Sequence, residues 1–533
     1  MSQPQQNVSI SAPGFAGLNT QDSPLDMDPS FASVANNCVI DKFGRISSRR
    51  GFNFLTTNPQ ILNGNPIVSI EEYVDGVTGD SVLFATGDLQ IFRQNKGSPD
   101  FDLVPMVLPN VPTADNWQMV TFNDKMYFVQ ANHKPLVYDP LVSTTDLQEW
   151  AEYPPNIADT GTDGQPNCVH AAFGRLWVSN FDSNSTVVAW SGILDGEQWT
   201  TGGAGSLQTA EYWPSGFDEI VALAAHNNFM IFFGKNNILL YQTTSDVLNT
   251  INLIDTVEGI GCIARDSVVP TGTDFMFIDS TGVRSLNRTV QEKSIPIGDV
   301  SKNIRQEFQQ ALRLEPDDNI KAVYHNEDSF YACFLPSNPK TYVLDTWAPL
   351  QDGSFRATVW INIRPRCGVR TVDRTTYFAG RLGVFTYEGA QDTFLDPDNS
   401  FEEATESIFM EYYTHPLDFG SAVNLIFPKQ VDVTLIGGSS GELAINWGYD
   451  YKSPTNRKVL PLPQSAVGSL WGEDTSEWDT NDQWTSEQTG INQLKYNIWG
   501  SGRNISVGFD TKILGSTVSI QELNIQVLQG RIL

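Results

Sequence analysis

Between Ile67 and Tyr387 the chain repeats one pattern about seven times: an apolar run, a tight polar turn, a second apolar run ending in an aromatic, and another turn. The copy from Ile220 to Tyr241 is the clearest. It holds three short apolar runs separated by His226-Asn227-Asn228 and Gly234-Lys235-Asn236-Asn237. Equivalent copies start at Ile67, Gln118, Ala171, Ser267, Ala322 and Val369. Asn, Asp and Gly recur at the turns because hairpin turns need positive φ. Each copy therefore predicts a small antiparallel sheet, which cannot bury both faces alone and must stack on its neighbours. Radial stacking of such units is a β-propeller. The expected class is all-β, with about seven degenerate blades; the uneven spacing also admits six or eight.

Three further regions flank the repeats. Residues 1–60 form an extended lead-in rich in Pro, Asn, Asp and Ser, with a strand expected around Ile46. Residues 61–390 are the propeller region, interrupted by one helix near 300–312, where Val300, Ile304, Phe308 and Leu312 recur at four-residue spacing and Asp299 or Ser301 can cap the start. Residues 391–407 read as an acidic linker. Residues 408–533 alternate apolar and polar positions as half-buried antiparallel strands do, which predicts a C-terminal β-sandwich.

Charge limits the partners. Against 33 Lys+Arg stand 62 Asp+Glu, a formal net charge of −29. Nucleic-acid affinity rests on neutralising phosphates with Lys and Arg, so this surface argues against gripping DNA while still letting DNA pass. The five cysteines are scattered without a CxxC pair and are expected to be buried free thiols. No run approaches the ~20 apolar residues of a membrane span, and the N-terminal residues lack a secretory pattern.

Catalytic constellations are sparse. The five histidines show no HxH or HxxxH pair, and neither a P-loop nor a GxSxG elbow occurs, so no catalytic residue, metal or cofactor is assigned. Glu71, Asp218, Glu219 and Asp279 are candidates for a propeller glycosidase's carboxylates only because acids are abundant. Asp396 to Glu403 places carboxylates at alternate positions, yet lacks the glycine of an EF-hand loop and reads better as a linker. Trp471, Trp478 and Trp484 sit among acids and suit an interface anchor better than a sugar platform. Arg45, Arg49 and Arg50 are a basic exception in the lead-in; they either pair with acids of a neighbouring subunit or end a strand in solvent.

The segment Ala12 to Pro24, containing Gly17-Leu18-Asn19, followed by Ala35-Asn36-Asn37 and Lys42 to Gly51, resembles the opening of virion tail proteins of short-tailed bacteriophages. Weaker matches lie at Ala172–Val178, Gly261–Val269, Phe277–Leu286 and Pro416–Gly420. The most similar functional type is the tail nozzle, or tail tubular protein B. The Thr20-Gln21-Asp22 stretch departs from the double-Gln form of one branch of that family. The resemblance implies a non-enzymatic structural subunit of the virion tail, assembled in the host cytoplasm as a self-ring, expected to be a hexamer. Its implied partners are tail adaptor and portal-proximal proteins, tail fibres or spikes, and genomic DNA that crosses the lumen without specific binding. Two other classes compete: a carbohydrate-binding adhesin and a propeller glycoside hydrolase.

Overall fold

The computed structural model describes residues 5–24, 27–55, 62, 64–97, 101–109, 114–154, 165–214, 216–243, 251–292, 299–380, 383–396, 402–421, 423–438, 441–462 and 491–530. It is an all-β protein of many small antiparallel sheets. Each of the seven copies forms one of them. The first sheet is Ile67–Val74, Ser81–Gly87, Gln90–Asn95 and Asp102–Pro105, joined in simple hairpin order. The second, third and fourth start at Gln118, Pro166 and Ile220 and repeat that four-stranded order. Turn chemistry holds as expected: Asn123 and Asp124 take φ of 47° and 59°, and Asn227 takes 53°, values that short polar side chains tolerate.

The fifth sheet has three strands, Val269–Pro270, Phe275–Asp279 and Gly282–Ser285, followed directly by a helix, Leu286–Glu292, that the repeat pattern does not announce. The sixth is Lys321–His325, Phe330–Phe334, Lys340–Asp345 and Arg356–Ile361. The seventh is Cys367–Arg370, Thr376–Ala379 and Val384–Tyr387, and its fourth strand, Phe52–Phe54, comes from the lead-in. The first strands of the first four sheets touch in sequence order. The turn Arg265–Ser267 leads from the fourth to the sixth, the sixth touches the seventh, and the seventh touches the first.

Most of the remaining strands form two large sheets. One runs Ile491–Asn497, Leu425–Gly437, Val518–Gly530, Ile46–Ser48, Cys38–Ile40, with Gln5–Ser11 also paired to Val518–Gly530. The other continues the sixth sheet outward: Arg356–Ile361 meets Phe31–Asn36 in parallel, and from there follow Ile408–Thr414, Ile505–Ile513, Glu442–Tyr449 and Asn456–Pro461. Strands facing each other across these sheets bury Val431, Val433, Ile445, Trp447, Val507, Phe509, Leu523 and Ile525 in one core. That core also takes in Met276, Val283, Phe308 and Tyr342 beside the fifth and sixth sheets.

Several local expectations differ from the structure. The helix spans Arg305–Leu314, preceded by a 3-10 turn at Lys302–Ile304, and neither Asp299 nor Ser301 caps it. Asp299 instead accepts from Ser301 N–H at 2.8 Å and pairs with Arg305 Nε at 2.7 Å. Phe308, Ala311 and Leu312 are its buried face, with Phe308 edge-on to Tyr342. The stretch 391–407 holds a hairpin, Asp392–Asp396 against Glu402–Glu406, rather than a plain linker. All five cysteines are free and buried.

Of the lead-in arginines, Arg49 is buried, whereas Arg45 and Arg50 keep part of their side chains exposed. Arg49 is 1% exposed and grips Asp392 with both forks, Nη1 to Oδ1 at 2.8 Å and Nη2 to Oδ2 at 2.6 Å. Its Nε donates to Asn37 Oδ1 at 3.2 Å. Asp392 also accepts from Phe52 N–H, and Gly51 lies so near Gln391 that a Cβ there would sit 1.8 Å from its carbonyl oxygen. Arg50 is half-buried and bridges Glu327 and Asp328 at 2.9 and 3.0 Å. Arg45 lies over the Phe43 ring, 3.7 Å from Asp41.

Arg49→Met strands a carboxylate in a mostly desolvated site and is expected to destabilise the protein by about 3 kcal/mol. Arg50→Ala, which breaks half-exposed pairs, should cost about 1 kcal/mol or less. Urea denaturation midpoints of the two variants check this ordering; equal shifts would contradict it.

Candidate functional site

The first strands of the first four sheets touch in order, and those of the sixth and seventh touch each other and close back on the first. Between them lies a cavity of about 380 Å³, lined by residues including Ser69, Glu71, Gln118, Arg265, Asp266, Lys321, Asn326 and Arg370. Its polar centre comes from the turn Arg265–Ser267 and from the first residue of the sixth sheet. Arg265 Nη1 donates to Asn167 O and Oδ1 at 2.8 and 2.7 Å, and Nη2 donates to Asn116 O at 3.1 Å. Nε and Nη2 both reach Asp266 at 2.9 Å. Lys321 Nζ donates to Ser69 Oγ at 2.5 Å and Asn116 Oδ1 at 2.8 Å, and lies 3.2 Å from Asp266.

One guanidinium and one ammonium thus tie the first, second, third, fifth and sixth sheets together. Burial alone would raise the Asp266 carboxyl, but Arg265 and Lys321 beside it hold it well below the usual carboxylate range. Glu71 goes the other way. Burial pushes its carboxyl up to about 7, with the charges of Glu72 and Asp266 adding and the Glu72 N–H opposing. Sequence reasoning singled out Glu71 only as an abundant acid and missed Arg265 and Lys321. Their one signal is a basic residue at the inner end of a repeat in an acidic chain.

The other candidate acids serve local structure. Asp218 is 2% exposed and accepts from the N–H groups of Glu219, Lys235 and Asn236 and from Asn237 Nδ2, which fixes the turn between two strands of the fourth sheet. Asp279 pairs with the fully buried Arg284 at 3.0 Å. Glu219 lies 3.6 Å from Lys235 on the surface. Trp471, Trp478 and Trp484 lie outside the described residues, as does most of the stretch between Asp396 and Glu402. Among the described residues no cluster of His, Cys, Asp and Glu has metal-holding geometry.

One arrangement has the order of a nucleophile, base and acid. Thr376 Oγ1 is 2.9 Å from His325 Nδ1, and His325 Nε2 is 3.5 Å from Asp328. The hydroxyl is sealed, because Thr376 and His325 are 4% and 3% exposed and the imidazole packs on Phe330 and Tyr387. The trio braces the sixth sheet against the seventh, and Arg50 secures Asp328 from outside.

Glu71 makes stability depend on pH with a defined sign. The unfolded carboxyl releases its proton near 4.5, whereas the folded one keeps it to about 7. Stability from this group is complete below 4.5 and is lost as pH rises through 7. Glu71→Gln removes that loss, so the variant should gain on the parent by on the order of 1–2 kcal/mol between pH 4.5 and 8, after allowing for partial solvent screening. Urea midpoints at both pH values test it; parallel profiles would contradict it.

No protein-family model and no curated protein sequence matches the chain. Similarities to solved structures are distant. PorZ, a surface component of the type-IX secretion system of Porphyromonas gingivalis, aligns at TM-score 0.34 and 9% identity over 63% of this chain and 37% of its own. Kluyveromyces lactis Hsv2 aligns at 0.30 and 11% over 55% of this chain and 98% of its own. The extracellular domain of the hybrid two-component system BT3049 from B. thetaiotaomicron aligns at 0.38 and 11% over 64% and 43%. The chain therefore matches less than half the length of the PorZ and BT3049 chains.

Proposed function

We propose that the chain is a structural, non-enzymatic subunit of the tail nozzle of a short-tailed bacteriophage, with its seven small sheets as the blades of a propeller. In this reading six copies ring the DNA-ejection channel, and adaptor, portal-proximal and fibre or spike proteins are their neighbours. The observation that carries the proposal is where the resembling segments lie. Gly17-Leu18 pairs with Phe31-Ala32, Asn37 meets the C-terminal and sixth-sheet strands, Arg49 grips Asp392 of the hairpin, and Phe52–Phe54 completes the seventh sheet. The lead-in motif is thus a framework element, as expected of an assembly subunit.

Two features support the same reading. The small cavity where the first strands converge is lined by the Arg265–Asp266–Lys321 ion cluster, whose donors are spent on the chain itself. A passage for DNA then lies between copies, not through one. Each copy also brings −29 formal charges, and acids turned toward such a lumen repel phosphates and keep the genome from adhering.

Cryo-microscopy of the purified protein, alone and with its adaptor, should give closed rings with a central pore and an acidic lumen. A stable monomer that binds or cleaves glycans would overturn the proposal, and so would a basic lumen.

A further inference from the structure

The strand Gln5–Ser11 is the outermost strand on its side of the large C-terminal sheet. It pairs antiparallel with Val518–Gly530, from Gln5 opposite Leu528 to Ser11 opposite Glu522, and among the described residues with nothing else. Ala12 N–H donates to Gln521 O at 2.9 Å in the same register. Antiparallel pairs alternate, so residues 6, 8, 10 and 12 spend their backbone groups on the inner strand, while Asn7 and Ser9 turn theirs outward. Unpaired edges of this kind are templates for another strand.

A cavity of about 460 Å³ adjoins this edge, lined by Gln6, Val8, Met27, His415, Leu417 and Tyr451 among others. Prolines 24, 29 and 416 stand in its wall and restrict the backbone around it. Two buried polar atoms there lack a partner among the described residues: Gln6 Oε1 and Nδ1 of His415, a residue only 4% exposed whose ring is otherwise held by the backbone of Phe31 and Met27. Buried polar groups are normally satisfied, and an orphan beside a cavity points to a ligand that satisfies it. Tyr451, 57% exposed, stands at the same cavity.

Charge selects the occupant. Among the described residues no Lys or Arg lines the cavity, Asp418 does, and the carboxylate of Asp28 lies near enough to His415 to interact with it. Glu522 is on the adjacent strand, opposite Ser11. A second copy of a chain this acidic is a poor match.

We propose that this edge and cavity bind an extended, cationic peptide segment of another protein. The segment adds as a strand to Gln5–Ser11, pairs with the outward groups of Asn7 and Ser9, and seats an apolar side chain between Val8, Met27 and Leu417. It offers its backbone or a polar side chain to His415 Nδ1. This is strand addition, in which main-chain bonds supply affinity and the pocket supplies selectivity.

The test uses the full chain and a fluorescein-labelled hexapeptide of alternating Val and Lys. A Val/Glu counterpart and a Val/Lys peptide N-methylated at alternate residues serve as comparisons. Expected results are Val/Lys binding by anisotropy about tenfold or more tighter than Val/Glu, a similar loss on N-methylation, and slowed amide exchange at Asn7 and Ser9. His415→Leu should weaken Val/Lys binding several-fold with the fold retained by circular dichroism. Equal binding of all three peptides, or no binding at millimolar peptide, would overturn the proposal. Concentration-dependent self-association abolished by Ser9→Pro would overturn it in favour of a second copy. Failure here leaves the ring proposal standing, because ring formation is read by imaging without peptide.

Discussion

The fold depends on the bidentate pair of Arg49 and Asp392 and on the asparagine beside it. Asn37, at φ 53°, receives Arg49 Nε and Ile361 N–H on its side-chain oxygen and donates its amide to Phe409 O. Its own N–H reaches Val359 O at 2.7 Å. Three distant parts of the chain thus meet at two side chains: the sixth sheet, the hairpin after the repeats and the first strand of the C-terminal unit. A guanidinium is suited to this place because its planar fork satisfies a carboxylate with two parallel bonds and still has donors to spare. Arg50 O accepts one of them at 2.9 Å.

From that node the lead-in runs on to complete the seventh sheet. Phe52 enters an aromatic cluster with Trp360, Phe378 and Tyr387 at centroid distances of 5.0–5.7 Å. The lead-in and the last segment of the repeat region are therefore held together by burial as well as by backbone bonds. Such closure needs contacts across more than 300 residues of sequence, and non-local pairing of this kind slows folding.

What the sequence made legible was local. The seven repeats, their Asn and Asp turns, the alternation of the C-terminal strands and the buried state of the cysteines all follow from short-range pattern, and the structure contains them. What it hid was pairing at long range. Phe52–Phe54 is only a three-residue apolar stretch whose partner lies beyond residue 380, and nothing near it in sequence marks that partner. The helix at Leu286–Glu292 replaces a strand because Gly282 to Ser285 runs straight into it, without the turn that ends the other copies. Arg49 looked like a surface cation because its acid is 343 residues away. The cavity cluster escaped notice for the same reason: Arg265, Lys321 and their acceptors Ser69, Asn116 and Asn167 come from separate repeats.

The parallel meeting of Arg356–Ile361 with Phe31–Asn36 makes one continuous sheet of the sixth repeat and the C-terminal strands. Hydrogen-bonded strands resist shear within the sheet plane far better than bending across it. A push on the C-terminal unit along its strands is therefore carried into the repeats as through a rigid plate. The ladder supplies only one registered pair at this join, Val359 and Asn36, so resistance to a sideways load rests on the bonds beside it, which join Asn37 to Val359 and Ile361 and Trp360 to Cys38.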